Sequence, residues 1–377
     1  MSMDQSIKQP LATDRRFDVQ VAEGFEQATD PGGEGPKGSA IAENMDTITD
    51  WAVAVSTFPF LFLMIPQIIT NFEKPEELGK LAWAGTASGG LGNLLLSSFF
   101  TGGGELKQAG IQAIGAFTNM IVVCQVFGYI KEDGTWGIPP VPFFALLVVS
   151  VIGLIMPGFR ACGMLKRPFE VWVTATTVIG VSSLFFSITN QVVETFKFED
   201  DNLMIRGIAS GVGLIVGLVL VALGKAGGAV GGALATALFM FMPVPQLVGN
   251  LVEPAKYMAE FNVGFIYLGT LGNGLGMSRA IFTRNWVWLA GAAWGCYAGG
   301  VLLSFTCIYG SHQFTPHKMS SLAEILLMVF VGLFVVYTLV VVKFDGEAQQ
   351  LKRAQEAREC VAGCSFGSGT NRNVVSP

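Results

Sequence analysis

Two polar clusters interrupt apolar runs in this chain. In MIPQIITN, Pro66, Gln67 and Asn71 stand close together, and in MPVPQLVGN, Pro245, Gln246 and Asn250 repeat the pattern. A proline inside a helix removes a backbone donor and clashes with the carbonyl one turn back. The freed groups need partners if the helix lies in a water-free medium, and a nearby carboxamide supplies them. Gln67 and Asn71 are four residues apart and share a helix face, as do Gln246 and Asn250. Each cluster therefore reads as a bendable helix with an amide-bearing face. Pro66 and Pro245 are the expected hinges, and the four amides either satisfy the hinge or line what opens beside it.

Asn93 and Asn273 are the stronger candidates for holding a ligand. Each follows a glycine-rich stretch in the middle of an apolar run. A carboxamide offers two donors and an acceptor, which matches neighbouring hydroxyls. An amide at such depth faces a cavity or another helix. Phe60, Phe62, Trp83, Phe239, Phe241, Trp288, Trp294 and Tyr297 are interleaved nearby. Their flat faces suit the C–H face of a pyranose, and Trp294 joins the candidate site. No nucleophile–base pair or metal-ligand set is visible, so neither an enzyme nor a cofactor is expected. His312 and His317 share one expected loop, and Cys360 and Cys364 lack a second pair.

Long helices must position these residues. The chain has 377 residues, 51% of them hydrophobic and 14% charged, with mean hydropathy +0.53. Charged residues make up about 25% of an ordinary soluble chain, so this composition indicates an all-α integral membrane protein. A spanning helix needs ~20 mostly apolar residues. Ten windows qualify: 51–72, 81–101, 109–130, 141–163, 169–192, 203–224, 229–251, 262–282, 285–309 and 320–343. They are flanked by an acidic tail over 1–50, expected to be disordered, and a polar tail over 344–377. Small-xxx-small spacings such as Gly207/Gly211, Gly213/Gly217 and Gly228/Gly232 are expected to let helices approach closely.

The clusters belong to a repeat. Phe60, Phe62, Pro66, Gln67 and Asn71 fall on Phe239, Phe241, Pro245, Gln246 and Asn250 at an offset of 179. Asn93 falls on Asn273 at an offset of 180, and Gly115-Ala116 on Gly291-Ala292 more loosely. A three-helix unit over 51–130 thus recurs over 229–309, with helices 141–224 linking them and 320–343 added. With ten spans both units start on odd helices and run parallel, a plan that places substrate between the repeats near the midplane. Lysine and arginine bias puts both tails on the cytosolic or stromal side.

No Asp, Glu, Lys or His occupies the middle of a window, and Arg279, near the end of the eighth, is the deepest charge. Without a buried carboxylate there is no proton relay. Passage of an uncharged solute down its gradient is the expectation, with no role for nucleic acid.

Pro66-Gln67 and Pro245-Gln246 resemble the PQ-loop motifs of SWEET-type sugar facilitators. FPFLFLMIPQIITN, SGGLGNLLLSSFF, LFMFMPVPQLVGNLVEP and LGNGLGMSRAIFTRNWVWLAGAAWG resemble the maltose excess (chloroplast maltose exporter) family over about residues 51–309. The resemblance implies a maltose transporter of the plastid inner envelope without a cofactor, and makes Arg279 and Arg284 shared family features. The acid-rich start lacks the composition of a transit peptide, which leaves other cell membranes open. The expected partners are a small neutral sugar (maltose or glucose) and the bilayer, with a homo-oligomer left open. A proton-coupled PQ-loop exporter of amino acids or other small solutes and a non-transport PQ-loop membrane receptor or scaffold are the alternatives.

Overall fold

The computed structural model describes residues 39–366, except 76–77, 79–80, 82, 131–133, 135, 197–201, 226–227, 253–262 and 314–320. Among the described residues there is no strand, only one bridge between Ile130 and Trp136. The helices in chain order are α1 (Ala40–Glu43), α2 (Met45–Phe62), α3 (Ile65–Glu73), α4 (Trp83–Gly103) and α5 (Leu106–Gly128). There follow α6 (Pro140–Ala161), α7 (Lys166–Phe196), α8 (Asn202–Ala222), α9 (Gly228–Phe241) and α10 (Val244–Val252). The chain ends with α11 (Val263–Phe282), α12 (Trp286–Cys296), a π turn (Tyr297–Leu302), α13 (Leu303–Gln313) and α14 (Ser321–Phe366).

Eight helical segments are long and apolar enough to cross a membrane, among them Met45–Glu73 and Gly228–Val252, which each join two of these helices. The helices α4 and α11 have 21 and 20 residues but are not among the eight. Their sequences, WAGTASGGLGN… and VGFIYLGTLGNGLG…, exchange apolar bulk for glycine and hydroxyl residues. Most of α4 is buried.

Proline decides where the two broken helices break. The ring of Pro66 conflicts with the carbonyl of Phe62, and α2 ends at Phe62. The ring of Pro245 conflicts with the carbonyl of Phe241, and α9 ends at Phe241. Each proline then occupies the first turn of the following helix, where its missing N–H leaves no bond unmade. The expected kinks are therefore true interruptions, two residues long.

Helix extends into both of the tails expected from composition. At the N-terminal side α1 spans Ala40–Glu43 and α2 starts at Met45. The expected polar tail from 344 continues α14 to Phe366. At ~1.5 Å per residue this 46-residue helix is about 69 Å long, more than twice the hydrocarbon thickness. His312 lies on the last turn of α13 rather than in a loop. His317 and the side chains of Cys360 and Cys364 lie outside the described residues.

The packing order forms a closed ring of six helices: α2 on α5, α5 on α4, α4 on α9, α9 on α12, α12 on α11, and α11 back on α2. In each half the first and second helices both pack on the third. The halves join crosswise, first helix of one on second helix of the other. Outside the ring, α6 packs on α4 and α5, α7 on α4 and α9, α8 on α7, and α14 on α11, α2 and α1.

Glycine makes the crosswise joints. A Cβ at Gly92 would lie 2.5 Å from the Phe239 backbone nitrogen, and one at Gly85 would lie 2.8 Å from the Met242 carbonyl. Across the other joint, a Cβ at Gly272 would lie 2.9 Å from the Phe60 ring. Among the glycine pairs singled out by spacing, Gly213 and Gly217 do seat α8 against Ser182 and Val178 of α7. Gly207 and Gly211 have open space around them; Gly228 serves a positive-φ turn, and Gly232 seats α9 against the Phe99 ring. Gly92→Ala is expected to cost about 1–3 kcal/mol, since backbone rather than a side chain must yield. Gly207→Ala is expected to be neutral. Thermal unfolding in detergent micelles distinguishes the two.

Candidate functional site

Each broken helix carries the same amide relay. Gln67 Nε2 donates to Asn71 Oδ1 at 2.8 Å, and Gln246 Nε2 donates to Asn250 Oδ1 at 2.8 Å. Asn71 Nδ2 then reaches the third helix of its half, Gln125 Oε1, at 2.8 Å. Asn250 Nδ2 reaches Thr306 Oγ1 at 3.1 Å. Gln125 closes its loop by donating to the Ile68 carbonyl of α3, whereas Thr306 donates to the Leu303 carbonyl of its own helix. Asn71 and Asn250 are buried. These four amides thus bind α3 to α5 and α10 to α13. Gln67 meets Asn71 rather than a carbonyl of the broken turn.

The breaks rest on the opposite half. Met242 covers Gly89 on α4, and Leu63 lies against Gly269 on α11, so the matching residues meet across both joints. Ser88 donates to the Leu238 carbonyl across one joint at 3.0 Å. Thr236 donates to the Val287 carbonyl between α9 and α12.

Asn93 and Asn273 lie next to these joints, each one residue after Gly92 or Gly272, and are 6% and 9% exposed. Both turn toward the third helix of their own half. A Cβ at Gly115 would come within 2.8 Å of Asn93 Nδ2, and one at Gly295 within 2.6 Å of Asn273 Nδ2. Asn273 donates to the Gly269 carbonyl one turn back.

Further polar groups gather there. Asn119 donates to the Gly115 carbonyl, beside Asn93, and its Oδ1 is buried without a partner. Thr270 Oγ1 and Trp294 Nε1 are buried without partners in the other half. Trp294 packs against the small cluster of Leu247, Ile266, Ala298 and Leu303. Buried polar atoms without partners are uncommon and mark places where a ligand or water completes the bonding. Repeat matching passes over Asn119, because Gly299 stands at its counterpart. A search for mid-helix amides alone would have found it.

The expected aromatic platforms divide. Phe60 and Phe239 fill the joints, and Trp288 is buried edge-on to Phe100. Phe62 is exposed, and Tyr297 lies edge-on to Phe334. Trp83 stands 6.3 Å from Phe186, lining a separate pocket of about 240 Å³ between α4, α6 and α7.

The opposite end of the ring is tied by charge. Arg279 Nη1 at the end of α11 binds the Asp46 carboxylate and carbonyl and Thr49 Oγ1 on α2. Lys107 at the start of α5 pairs with Asp50. Arg284 adopts φ +55°, where α11 turns into α12, and pairs with Asp345 of α14 at 2.8 Å. Ser39 donates to Glu347. Arg279 is thus a cross-half tie rather than a side chain reaching for water.

The maltose excess protein 1 N-terminal domain is the family whose model matches, over residues 39–166. The chain is 30% identical over 273 residues to a rice protein, maltose excess protein 1-like, chloroplastic, covering 68% of this chain and 65% of that one. It is 30% identical over 265 residues to the Arabidopsis thaliana maltose excess protein 1, chloroplastic, covering 67% and 61%. The chain therefore spans slightly under two thirds of each of these relatives. No solved structure matches. Asn71→Ala is expected to loosen α3 from α5. In a double-mutant cycle with Gln125→Ala, a coupling of about 0.5–3 kcal/mol should appear. Additive unfolding free energies would show the relay to be idle.

Proposed function

The chain belongs to the maltose excess protein family, and from that premise we propose that it carries a neutral sugar, maltose first, across a plastid envelope membrane. In this reading it has ten spans, the eight apolar segments plus α4 and α11, and its two three-helix units run parallel. The inner envelope is the proposed membrane, following the chloroplastic relatives.

One observation carries the mechanism: the broken first helix of each half rests on the glycine face of the other half's second helix. Alternating access needs two matched elements that bend while the rest stays packed. Pro66 and Pro245 supply the interruptions. The relays hold the outer segments α3 and α10 to the third helices, so each outer segment moves together with its third helix. Small-residue contacts let the joints slide without opening voids.

The sugar would lie within the ring. Asn93 with Asn119 on one side, and Asn273 with Thr270 and Trp294 on the other, would meet its hydroxyls and C–H faces. These are neutral groups throughout, which suits an uncharged solute. A hydroxyl-bearing ligand would complete the unpartnered Asn119 Oδ1, Thr270 Oγ1 and Trp294 Nε1.

Uptake of labelled maltose into proteoliposomes tests the reading. Asn93→Ala combined with Asn273→Ala is expected to cut the initial rate at least about tenfold, the cost of two lost hydroxyl contacts. Uptake equal to that of the unmutated protein would remove these residues from the site. No ionisable group stands among the proposed contacts. The rate should therefore be the same with and without an imposed pH gradient; acceleration by the gradient would favour a proton-coupled carrier.

A further inference from the structure

The charged end of the ring holds a groove of about 490 Å³ that the packing of the ring does not use. It lies between α1, the start of α2, the end of α11 and the continuation of α14 beyond its apolar stretch. Glu43 and Asp46 line one wall, Gln349, Lys352 and Gln355 the other, and Phe282 contributes a ring. The lining is of mixed sign. A ligand with net charge would meet repulsion from one wall, whereas a neutral polyhydroxyl ligand finds acceptors on the carboxylates and both donors and acceptors on the carboxamides.

Asp46 belongs to two structures at once. Its side chain lines the groove, and the same carboxylate holds Arg279. That pair connects α2 of one half to α11 of the other. Asp46 is 72% exposed, so the tie is solvent-accessible and weak enough to be exchanged. The Arg279 guanidinium also lies over the Phe282 ring, 5.6 Å from its centre, so the tie and the groove share a second residue.

We propose that this groove is a mouth-side subsite for a neutral sugar, whose hydroxyls compete with Arg279 for the Asp46 carboxylate and thereby release the tie between the two halves. It rests on the reading of the chain as a sugar carrier. It adds a place where sugar acts before entering the ring, and it couples arrival at one mouth to loosening of one joint. No covalent step is involved; one set of hydrogen bonds replaces another.

Hydrogen exchange on the full chain in lipid nanodiscs tests the proposal, with maltose as probe and sorbitol at equal osmolarity as control. Maltose is expected to slow exchange several-fold over 347–355, the groove wall, and to speed it over 45–50, the freed end of α2. Ala354→Trp, which fills the groove without touching the Arg279 pair, should abolish both effects. Gln349→Leu, which removes a groove carboxamide without added bulk, should weaken both and serves if the tryptophan unfolds the α14 extension. Asp46→Asn should speed exchange over 45–50 without sugar, and maltose should then add nothing there. Absence of any maltose effect at 347–355 in the unmutated protein overturns the proposal, as does an effect that survives both groove variants. Proteoliposome uptake reads the carrier function separately: groove protection without uptake would sink transport and leave the subsite standing.

Discussion

The close seating of each broken helix on a glycine face is the contact on which the rest of this structure depends. In a lipid environment two apolar helices gain little from merely touching, because lipid tails are as apolar as the helices. Close approach of backbones is what makes one pairing better than another. At Gly92 and Gly85 the neighbouring atoms are backbone atoms of α9 and the break, so no side chain can be accommodated without moving the helix. That closeness selects the crosswise pairing, and the crosswise pairing closes the ring. The amide relays then act on helix segments whose inner faces are already fixed.

The two halves match closely where the packing is tight and diverge where it is not. Leu63 on Gly269 and Met242 on Gly89 are equivalent contacts, as are Phe60 on Gly272 and Phe239 on Gly92. The third helices differ. Tyr297–Leu302 forms a π turn in the second half, and one extra residue is accommodated there. Gly115, facing Asn93, matches Gly295, facing Asn273, rather than the expected Gly291, and the offset grows from 180 there to 181 at Gln125 and Thr306. The charged ends also differ: Asp46, which ties the α2–α11 joint, has Lys225 as its counterpart at the offset of 179. Among the described residues the joints match, but a charge tie is seen at one of them.

Much of this was legible in the chain, for local reasons. The break sites follow from Pro66 and Pro245, because a proline ring acts on the carbonyl four residues back. The helical segments follow from the length of the apolar runs, and the matching of Asn71 with Asn250 follows from alignment alone. Other features were misjudged where composition stood in for contacts. Residues 344–366 are charged and read as a tail, yet they continue α14, which is held near its base by Arg284 on Asp345 and Ser39 on Glu347. Gly207 and Gly211 have the spacing of a packing motif and pack against nothing within 4 Å, since α8 turns another face to α7.

The sequence by itself determined which apolar segments are helices, where two of them break, and that the breaks are paired. Steric exclusion and hydrophobic periodicity act within a few residues, so they can be read along the chain. Only the tertiary structure decided that the first helix of each half packs on the second helix of the other. It also decided that Gln67 binds Asn71, and Asn71 binds Gln125, rather than a broken backbone, that Asn93 turns toward Gly115, and that Arg279 ties the halves through Asp46. Those choices depend on how closely two backbones far apart in sequence can approach and on which polar groups still lack a partner once they have done so. Neither quantity exists until the helices meet.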